Sequence, residues 1–165
     1  MKPLDVTRKF SNRLTFDSNL RLDMGERAVN FDSEDFIVFL SSLTQEDFIC
    51  YPSESDYNTL KQNIGKLNHI TPDCISFNFG SDQVIKSVFE LCSTPKGSVV
   101  FNRPAFPMYQ VYSDMFYREA SHVEYSKDLN FSIDDFLEKL TQGVRLAILA
   151  NPNSPFGDTK SIDEI

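Results

Sequence analysis

Three short stretches carry the residues whose types and spacing suit chemistry. Gly80-Ser81-Asp82 stands between a β-rich run and a helical pattern. Gly80 permits a tight turn, and the free N–H groups of the helical turn behind it attract an anion. The same triplet also suits plain helix capping by Ser81 or Asp82. "NRPAFPMY", residues 102–109, follows an apolar run. Its prolines stiffen it and hold Phe106 at the rim of a sheet, where an aromatic ring can stack on a planar ligand. Core packing is the commoner fate of a Phe. "NPNSPFG", residues 151–157, follows "VRLAILA". Its two X-Pro steps hold Asn151 and Ser154 extended. Side-chain amides and a hydroxyl are then presented at the sheet edge; the alternative is a polar turn without chemistry. An anion site, an aromatic platform and a row of polar groups together fit one kind of ligand, flat and phosphorylated.

Other reactive residues are sparse. Cys50, Cys74 and Cys92 are three in number and widely spaced, with no metal or disulfide pattern. They read as buried structural thiols of a protein in a reducing cytoplasm. His69 and His122 stand alone, so no metal site is expected. No G-x-G-x-x-G or Walker A pattern follows a strand, which argues against a small nucleotide-binding domain. The net charge of -8, with no basic stripe, argues against a nucleic-acid partner. "MKPLDVTRKF" has charges but no apolar segment behind them, so it is not expected to act as a signal peptide. No apolar run approaches the ~20 residues that span a bilayer.

The elements that must position these residues follow from periodicity. The length of 165 residues suits one domain of ordinary size, and 41% hydrophobic with 24% charged residues describes a globular protein. "YNTLKQNIGKL" places Tyr57, Leu60, Ile64 and Leu67 on one helical stripe. A strand is expected over 74–80, a helix over 81–92, a strand over 98–102 and a helix over 106–116 opened by Pro107. A third strand over 122–126 and a helix over 132–140 come next. That helix has Ser132 as N-cap with Asp135 closing a capping box, and Gly143 as its terminator. "VRLAILA", 144–150, reads as a parallel strand buried on both faces. The last five residues, "SIDEI", ending at Ile165, read as the start of a further helix. The alternation β-α-β-α-β-α-β implies an α/β fold with a mostly parallel sheet. Ligands of such sheets bind outside the carboxyl ends of the strands, where the three stretches fall. Residues 1–50 differ, with a possible strand near Leu20–Met24 and an amphipathic helix near Ser33–Leu43 showing Phe36, Leu40 and Leu43 on one face. They read as an arm or part of a second, smaller domain, and residues 51–165 as part of a large domain.

"GSDQ", "RPAFPMY" and "ANPNSPFG", in this order and spacing, resemble the fold-type-I pyridoxal-phosphate enzymes, specifically class I/II aminotransferases similar to histidinol-phosphate aminotransferases. "RLDMGER" and "CYPSESDYNTLKQNIGKL" look like the same family's N-terminal arm and its Tyr-Pro step. The resemblance covers roughly residues 20–165. It implies a three-layer α-β-α large domain and pyridoxal 5'-phosphate as cofactor. It further implies an amino donor and an oxo acid or oxo phosphate as substrates, in amino-acid biosynthesis. Ser81 and Asp82 would hold the cofactor phosphate and Phe106 would stack on the ring. Tyr51 looks like the tyrosine that reaches the phosphate from a neighbouring subunit, which implies a homodimer. The Asn loop would lie along the ring edge bearing the phenolic oxygen, where a hydrogen bond tunes the cofactor as an electron sink.

The sequence also departs from the family pattern. The common loop is N-P-N-N-P-T-G; here Ser154 stands for the second Asn and Phe156 for the Thr. The residue before P-T-G is the usual phenolic-oxygen partner, so Ser154, with its shorter reach, and Asn153 are both candidates. Gly25 stands where relatives often have Asn. The family's Schiff-base lysine lies well downstream of the Asn loop, at a position expected beyond Ile165. The acidic partner of the ring nitrogen and the arginine for the substrate carboxylate are expected beyond Ile165 as well. None of the nine lysines here has the flanking pattern, Lys127 after Ser126 included. The 165 residues are therefore expected to be the N-terminal portion of such an enzyme, with no catalytic residue of their own and inactive alone. The alternative is a non-catalytic α/β binding or interaction module that keeps the fold.

Overall fold

The computed structural model describes residues 33–92 and 97–165. These fall into two compact units, 33–76 and 77–165. The stretches Leu20–Met24 and "RLDMGER" lie outside the described residues.

The first unit is helical: α1 (Ser33–Ser42), α2 (Gln45–Ile49), α3 (Glu54–Asn68) and a 3-10 turn at Pro72–Cys74. Its helix starts are set by local chemistry. The Asp47 carboxylate accepts from the Thr44 N–H at 2.6 Å and from its hydroxyl at 2.8 Å. Those two bonds hold the Asp47 carboxyl below its ordinary range. Asp56 does the same for the Ser53 N–H at 2.6 Å. Each bond satisfies an N–H that a helix start leaves open. α3 ends at His69, whose left-handed backbone (φ 55°) turns its N–H onto the Gly65 carbonyl. Both expected helices form, but their apolar stripes remain largely exposed. Phe36 and Leu40 are exposed, as are Tyr57, Leu60 and Leu67, and Ile64 is half-buried.

The second unit is an α/β layer structure. β1 (Ser98–Arg103), β2 (Ala120–Glu124) and β3 (Val144–Ile148) form a parallel sheet in the order β2-β1-β3. Successive strand residues point to opposite faces, and the core divides accordingly. Val99 and Phe101 join Phe89 of α4 (Gly80–Leu91) and Tyr109 and Tyr112 of α5 (Met108–Met115) on one face. Val100 and Val123 join Phe131 and Phe136, the latter on α6 (Ile133–Glu138), on the other. Helices thus cover both faces of the central strand, which is the expected three-layer α/β arrangement. α6 starts at the expected N-cap, with Ser132 Oγ accepting from the Asp135 N–H at 3.2 Å, but among the described residues the Asp135 carboxylate does not return a bond to the Ser132 N–H, so the expected capping box is half made. Among the described residues no helix is long and apolar enough to cross a membrane.

Several sequence expectations are corrected. The run 74–80 is not a strand. Among the described residues no strand pairs with it, and Phe79 is 95% exposed. Asn78 instead folds back on α4, donating to Ser87 Oγ at 2.8 Å, while its carbonyl accepts from the Gly80 N–H at 3.0 Å. β2 ends at Glu124 because Ser126 leaves the sheet for a turn, its N–H on the Asn130 carbonyl at 2.7 Å. β3 is not buried on both faces: Arg145 and Ala147 are exposed, because only one side of this edge strand is covered. Gly143 (φ 118°) does not end α6, which stops at Glu138; it leads into β3, its carbonyl accepting from the Ser98 N–H. The cysteines are not buried: Cys50 and Cys74 are exposed and Cys92 is half-buried.

"SIDEI" forms a 3-10 turn over Ile162–Glu164 in place of an α-helical turn. The Glu164 carboxylate accepts from the Ser161 N–H and hydroxyl, both at 2.8 Å, which is a helix-start box. The Ile165 N–H closes the turn three residues back, on the Ile162 carbonyl at 3.3 Å, and that spacing is what makes it 3-10.

Candidate functional site

α4 opens without a side-chain cap. Its N-cap is Phe79, which has none to offer, so neither Ser81 nor Asp82 acts as the cap. The other long helix, α3, has the Ser53–Asp56 box at its start. Beyond Gly80, whose N–H bonds the Asn78 carbonyl, the first-turn N–H groups of α4 are left for an outside acceptor, and the positive end of the helix dipole favours an anion. Gly80 adopts a left-handed backbone (φ 75°), and a Cβ built there would meet nothing within 4 Å. Ser81 is exposed. Asp82 is half-buried, and its Oδ1 accepts from the Tyr112 hydroxyl at 3.1 Å. What Asp82 leaves for an anion is its backbone N–H rather than its carboxylate.

Phe106 is half-buried beside the carboxyl end of β1. Its ring meets Tyr109 edge-on at 5.8 Å and packs on the core cluster, with part of its surface still open. Of the two expectations for this residue, core packing is the one the structure shows.

The loop after β3 is held from inside. Asn153 is 2% exposed. Its Nδ2 donates to the Pro104 carbonyl at 3.1 Å and to Tyr125 Oη at 2.7 Å. Its backbone closes the loop, accepting from Gly157 N at 2.6 Å and donating to the Asp158 carbonyl at 3.1 Å. Asn151 is likewise engaged, exchanging two hydrogen bonds with the Lys160 backbone at 2.8 and 3.0 Å. The amides of Asn151 and Asn153 thus face the chain rather than the sheet edge. Ser154 is exposed, and among the described residues its hydroxyl has no hydrogen-bond partner.

These bonds join two of the three stretches and tie the third to α5. Asn153 ties the loop after β3 to the segment after β1, and Tyr112 ties α5 to the start of α4. Tyr51 lies in the first unit and is 98% exposed. Ile165 is an exposed apolar residue.

Two residues of this region escape sequence reasoning. Tyr125 donates to Asp158 Oδ1 at 2.6 Å, with its ring edge-on to Phe156 at 4.8 Å and to Phe131 at 5.4 Å. Burial first, and then the bond to Asp158, push the Tyr125 phenol up to about 12. Tyr125 and Asp158 are 33 residues apart, and no spacing rule connects them. His122 sits edge-on to Phe101 at 4.7 Å; burial, then nearby Arg103, holds its imidazole below the ordinary range. Among the described residues no group of three His, Cys, Asp or Glu side chains is arranged to hold a metal ion.

Taken singly, three of these groups suit parts of a flat phosphorylated molecule. An uncapped helix start suits a phosphate, a partly open aromatic suits a ring, and an exposed hydroxyl suits a polar ring substituent. Among the described residues, the buried polar atoms without a hydrogen-bond partner include Asn102 Nδ2, Asn153 Oδ1 and Asp158 Oδ2, in the carboxyl-end segments of β1 and β3, and also His122 Nδ1 on β2.

The family model "Aminotransferase class I and II" matches residues 26–165. A histidinol-phosphate aminotransferase of Clostridium botulinum is 28% identical over 126 residues, covering 76% of this chain and 34% of that protein. One of Gloeobacter violaceus is 34% identical over 119 residues, covering 70% and 33%. The chain thus spans about a third of the length of these relatives. Among solved structures, histidinol-phosphate aminotransferase from Sinorhizobium meliloti in complex with pyridoxal-5'-phosphate aligns with a TM-score of 0.56 at 20% identity, covering 65% of this chain and 29% of that one. Alanine aminotransferase from Pyrococcus furiosus aligns at 0.54 and 18%, covering 63% and 28%. At these identities the structures speak to the fold, which is the fold-type-I arrangement. The matched family is pyridoxal-phosphate-dependent. With a family match spanning residues 26–165, this chain belongs to the class I and II aminotransferases.

Proposed function

We propose that the chain forms part of a pyridoxal-phosphate-dependent transaminase, similar to histidinol-phosphate aminotransferase, that moves an amino group between an amino acid and an oxo acid or oxo phosphate. The bond from Asn153 Nδ2 to the Pro104 carbonyl carries this reading. It brings together two motif segments that are 49 residues apart, at the sheet end where α/β folds take their ligands. When bound, the cofactor supplies an electron sink for the substrate's amino-bearing carbon. The chain's own groups bind and orient it. The first-turn N–H groups at Ser81 and Asp82 hold its phosphate, Phe106 covers one face of its ring, and the Asn loop lines the ring edge.

The proposed assembly is a homodimer in which Tyr51 of one protomer reaches the phosphate held by the other. Residues 1–50 would be an arm or part of a small domain, and 51–165 part of the large cofactor-binding domain. A reducing cytoplasm suits its three free thiols. Lys160, close to the loop in sequence, is engaged: its Nζ donates to Asn130 Oδ1 at 2.6 Å and lies 4.6 Å from the Phe131 ring centroid. The reading assigns the covalent cofactor lysine to none of the lysines up to Ile165.

The test is spectroscopic. Pyridoxal 5'-phosphate is titrated into the purified chain, the visible spectrum is recorded, and the sample is reduced with borohydride and weighed. Saturable binding without an adduct is expected. A stoichiometric adduct on one lysine would refute the assignment of that residue elsewhere, and absence of saturable binding would count against the cofactor cradle.

A further inference from the structure

We propose that Tyr125 and Asp158 are a positioning pair for the cofactor loop: they turn Asn153 inward and leave Ser154 as the loop side chain that donates to the ring edge. The proposal rests on the cofactor reading above and deepens it. It follows from the direction in which hydrogen bonds can run. A carboxylate only accepts, so at Asp158 Oδ1 the Tyr125 phenol must be the donor, at 2.6 Å. That distance is typical of a short charge-assisted O–H···O bond. With its single hydrogen committed, Tyr125 Oη can only accept from its other neighbour. Asn153 therefore presents Nδ2, not Oδ1, to the phenol, at 2.7 Å.

The second Nδ2 hydrogen goes to the Pro104 carbonyl. A carbonyl also only accepts, so both ends of the chain of bonds demand the same orientation of the Asn153 amide. Both of its hydrogens are used. The remaining atom, Oδ1, is buried, unpartnered and an acceptor, so it has nothing to offer an electron-rich phenolic oxygen. The exposed hydroxyl next along the loop, Ser154 Oγ, can donate.

Phe156 completes the arrangement. Where the family pattern has Thr, this chain has a ring that meets Tyr125 edge-on at 4.8 Å. On its other side Tyr125 meets Phe131 at 5.4 Å. The phenol is thus fixed by ring contacts on two sides and aimed at Asp158 and Asn153. The charge on Asp158 sets the polarity of the whole chain of bonds, although neither Asp158 nor Tyr125 need touch the ligand.

The experiment uses the chain itself with three substitutions: Tyr125→Phe, Asp158→Asn and Ser154→Ala. The first readout needs no ligand. In the unsubstituted protein the Asn153 side-chain amide should exchange its hydrogens slowly by NMR. Either Tyr125→Phe or Asp158→Asn should speed that exchange at least tenfold. The second readout is pyridoxal 5'-phosphate affinity in a double-mutant cycle. Ser154→Ala should weaken binding about tenfold in the parent, the worth of one hydrogen bond, and markedly less in the Tyr125→Phe background. A merely structural role for Tyr125 predicts independent, multiplicative losses. Fast Asn153 exchange in the parent, or a cycle without coupling, overturns the proposal. If the parent binds no pyridoxal phosphate, the cofactor reading itself falls and the proposal with it, a result separable from an uncoupled cycle. Should Tyr125→Phe not fold, Asp158→Asn runs the same cycle.

Discussion

The Tyr125 phenol donates to Asp158 across 2.6 Å, and this contact makes folding stability sensitive to alkaline pH. Burial and the Asp158 bond raise the phenol to about 12 in the folded chain, against about 10 for an unfolded tyrosine. The folded state therefore holds its proton where the unfolded state has lost it. The stabilisation is complete below pH ~10 and is lost as pH rises through the folded value near 12. Tyr109 is also raised by burial, so the pH slope alone does not isolate Tyr125. Urea midpoints at pH 9 and pH 11.5 for the parent and Tyr125→Phe do. The parent should lose more of its midpoint between the two, and equal losses would remove Tyr125 from the account.

Phe156 contributes through its ring contact with Tyr125, 4.8 Å between centroids at 69°. An edge-on aromatic pair is worth about 0.5–1.5 kcal/mol beyond burial. Phe156→Thr, which restores the common loop residue, should destabilise this chain by about 1 kcal/mol. Phe156→Tyr should be near neutral. The comparison is made by chemical denaturation at neutral pH, and a neutral or stabilising Phe156→Thr would show that the loop does not depend on the pair.

What could be read from the sequence was local or ordered along the chain. Ser132 capping Asp135 is a contact between residues three apart, and it forms. The order of the three motif stretches pointed to the family without any tertiary knowledge. The failures are tertiary in origin. Ile75, Phe77 and Phe79 alternate as a strand should, but a strand exists only where a neighbour pairs with it, and among the described residues none does. Asn153 and Ser154 are adjacent polar residues, equally plausible in sequence as ring partners. Their difference arises because Pro104, 49 residues away, and Tyr125, 28 residues away, capture one of them. The exposure of Cys50 and Cys74 has the same cause, since propensity to be buried says nothing of what is available to cover a residue.

Gly80 tests the backbone at the start of α4. Its φ of 75° is a conformation that costs a residue with a Cβ about 1–2 kcal/mol. A Cβ there meets nothing within 4 Å, so strain is the whole penalty. Gly80→Ala should lower stability by about 1 kcal/mol and weaken binding of inorganic phosphate, because relaxing the turn re-aims the first-turn N–H groups. Gly80→Asn, which tolerates this conformation better, should lie between. Isothermal titration with phosphate, alongside denaturation, checks both halves.

Gly65 reverses the usual sign of a helix substitution. Inside an open helix, replacing Gly by Ala gains up to about 1 kcal/mol. In α3, a Cβ at Gly65 would lie 2.7 Å from the Ile70 carbonyl oxygen, a backbone atom that no rotamer change can move aside. That carbonyl belongs to the residue whose N–H bonds the Gly65 carbonyl at 3.0 Å, so a shift there disturbs the turn that ends the helix. Gly65→Ala should therefore destabilise by about 1–3 kcal/mol. A gain in melting temperature would show that the Ile70 carbonyl yields freely.

Phe89 is the core residue whose loss should reach the site. It is 1% exposed, packs on the face formed by Val99 and Phe101, and meets Tyr112 at 5.9 Å between ring centroids. Tyr112 is also the residue that bonds Asp82. Truncating a buried Phe to Ala costs about 3–5 kcal/mol, a large part of the ~5–15 kcal/mol that holds an ordinary domain folded. Phe89→Ala is thus expected to lose its cooperative transition. Phe89→Leu, a milder change in shape, should stay folded yet loosen Tyr112. Its signature is faster hydrogen exchange in the first turn of α4 without a matching change at Asn153, which is held from the other face through Tyr125 and Phe131. Equal acceleration at both places would mean that the two faces do not open separately.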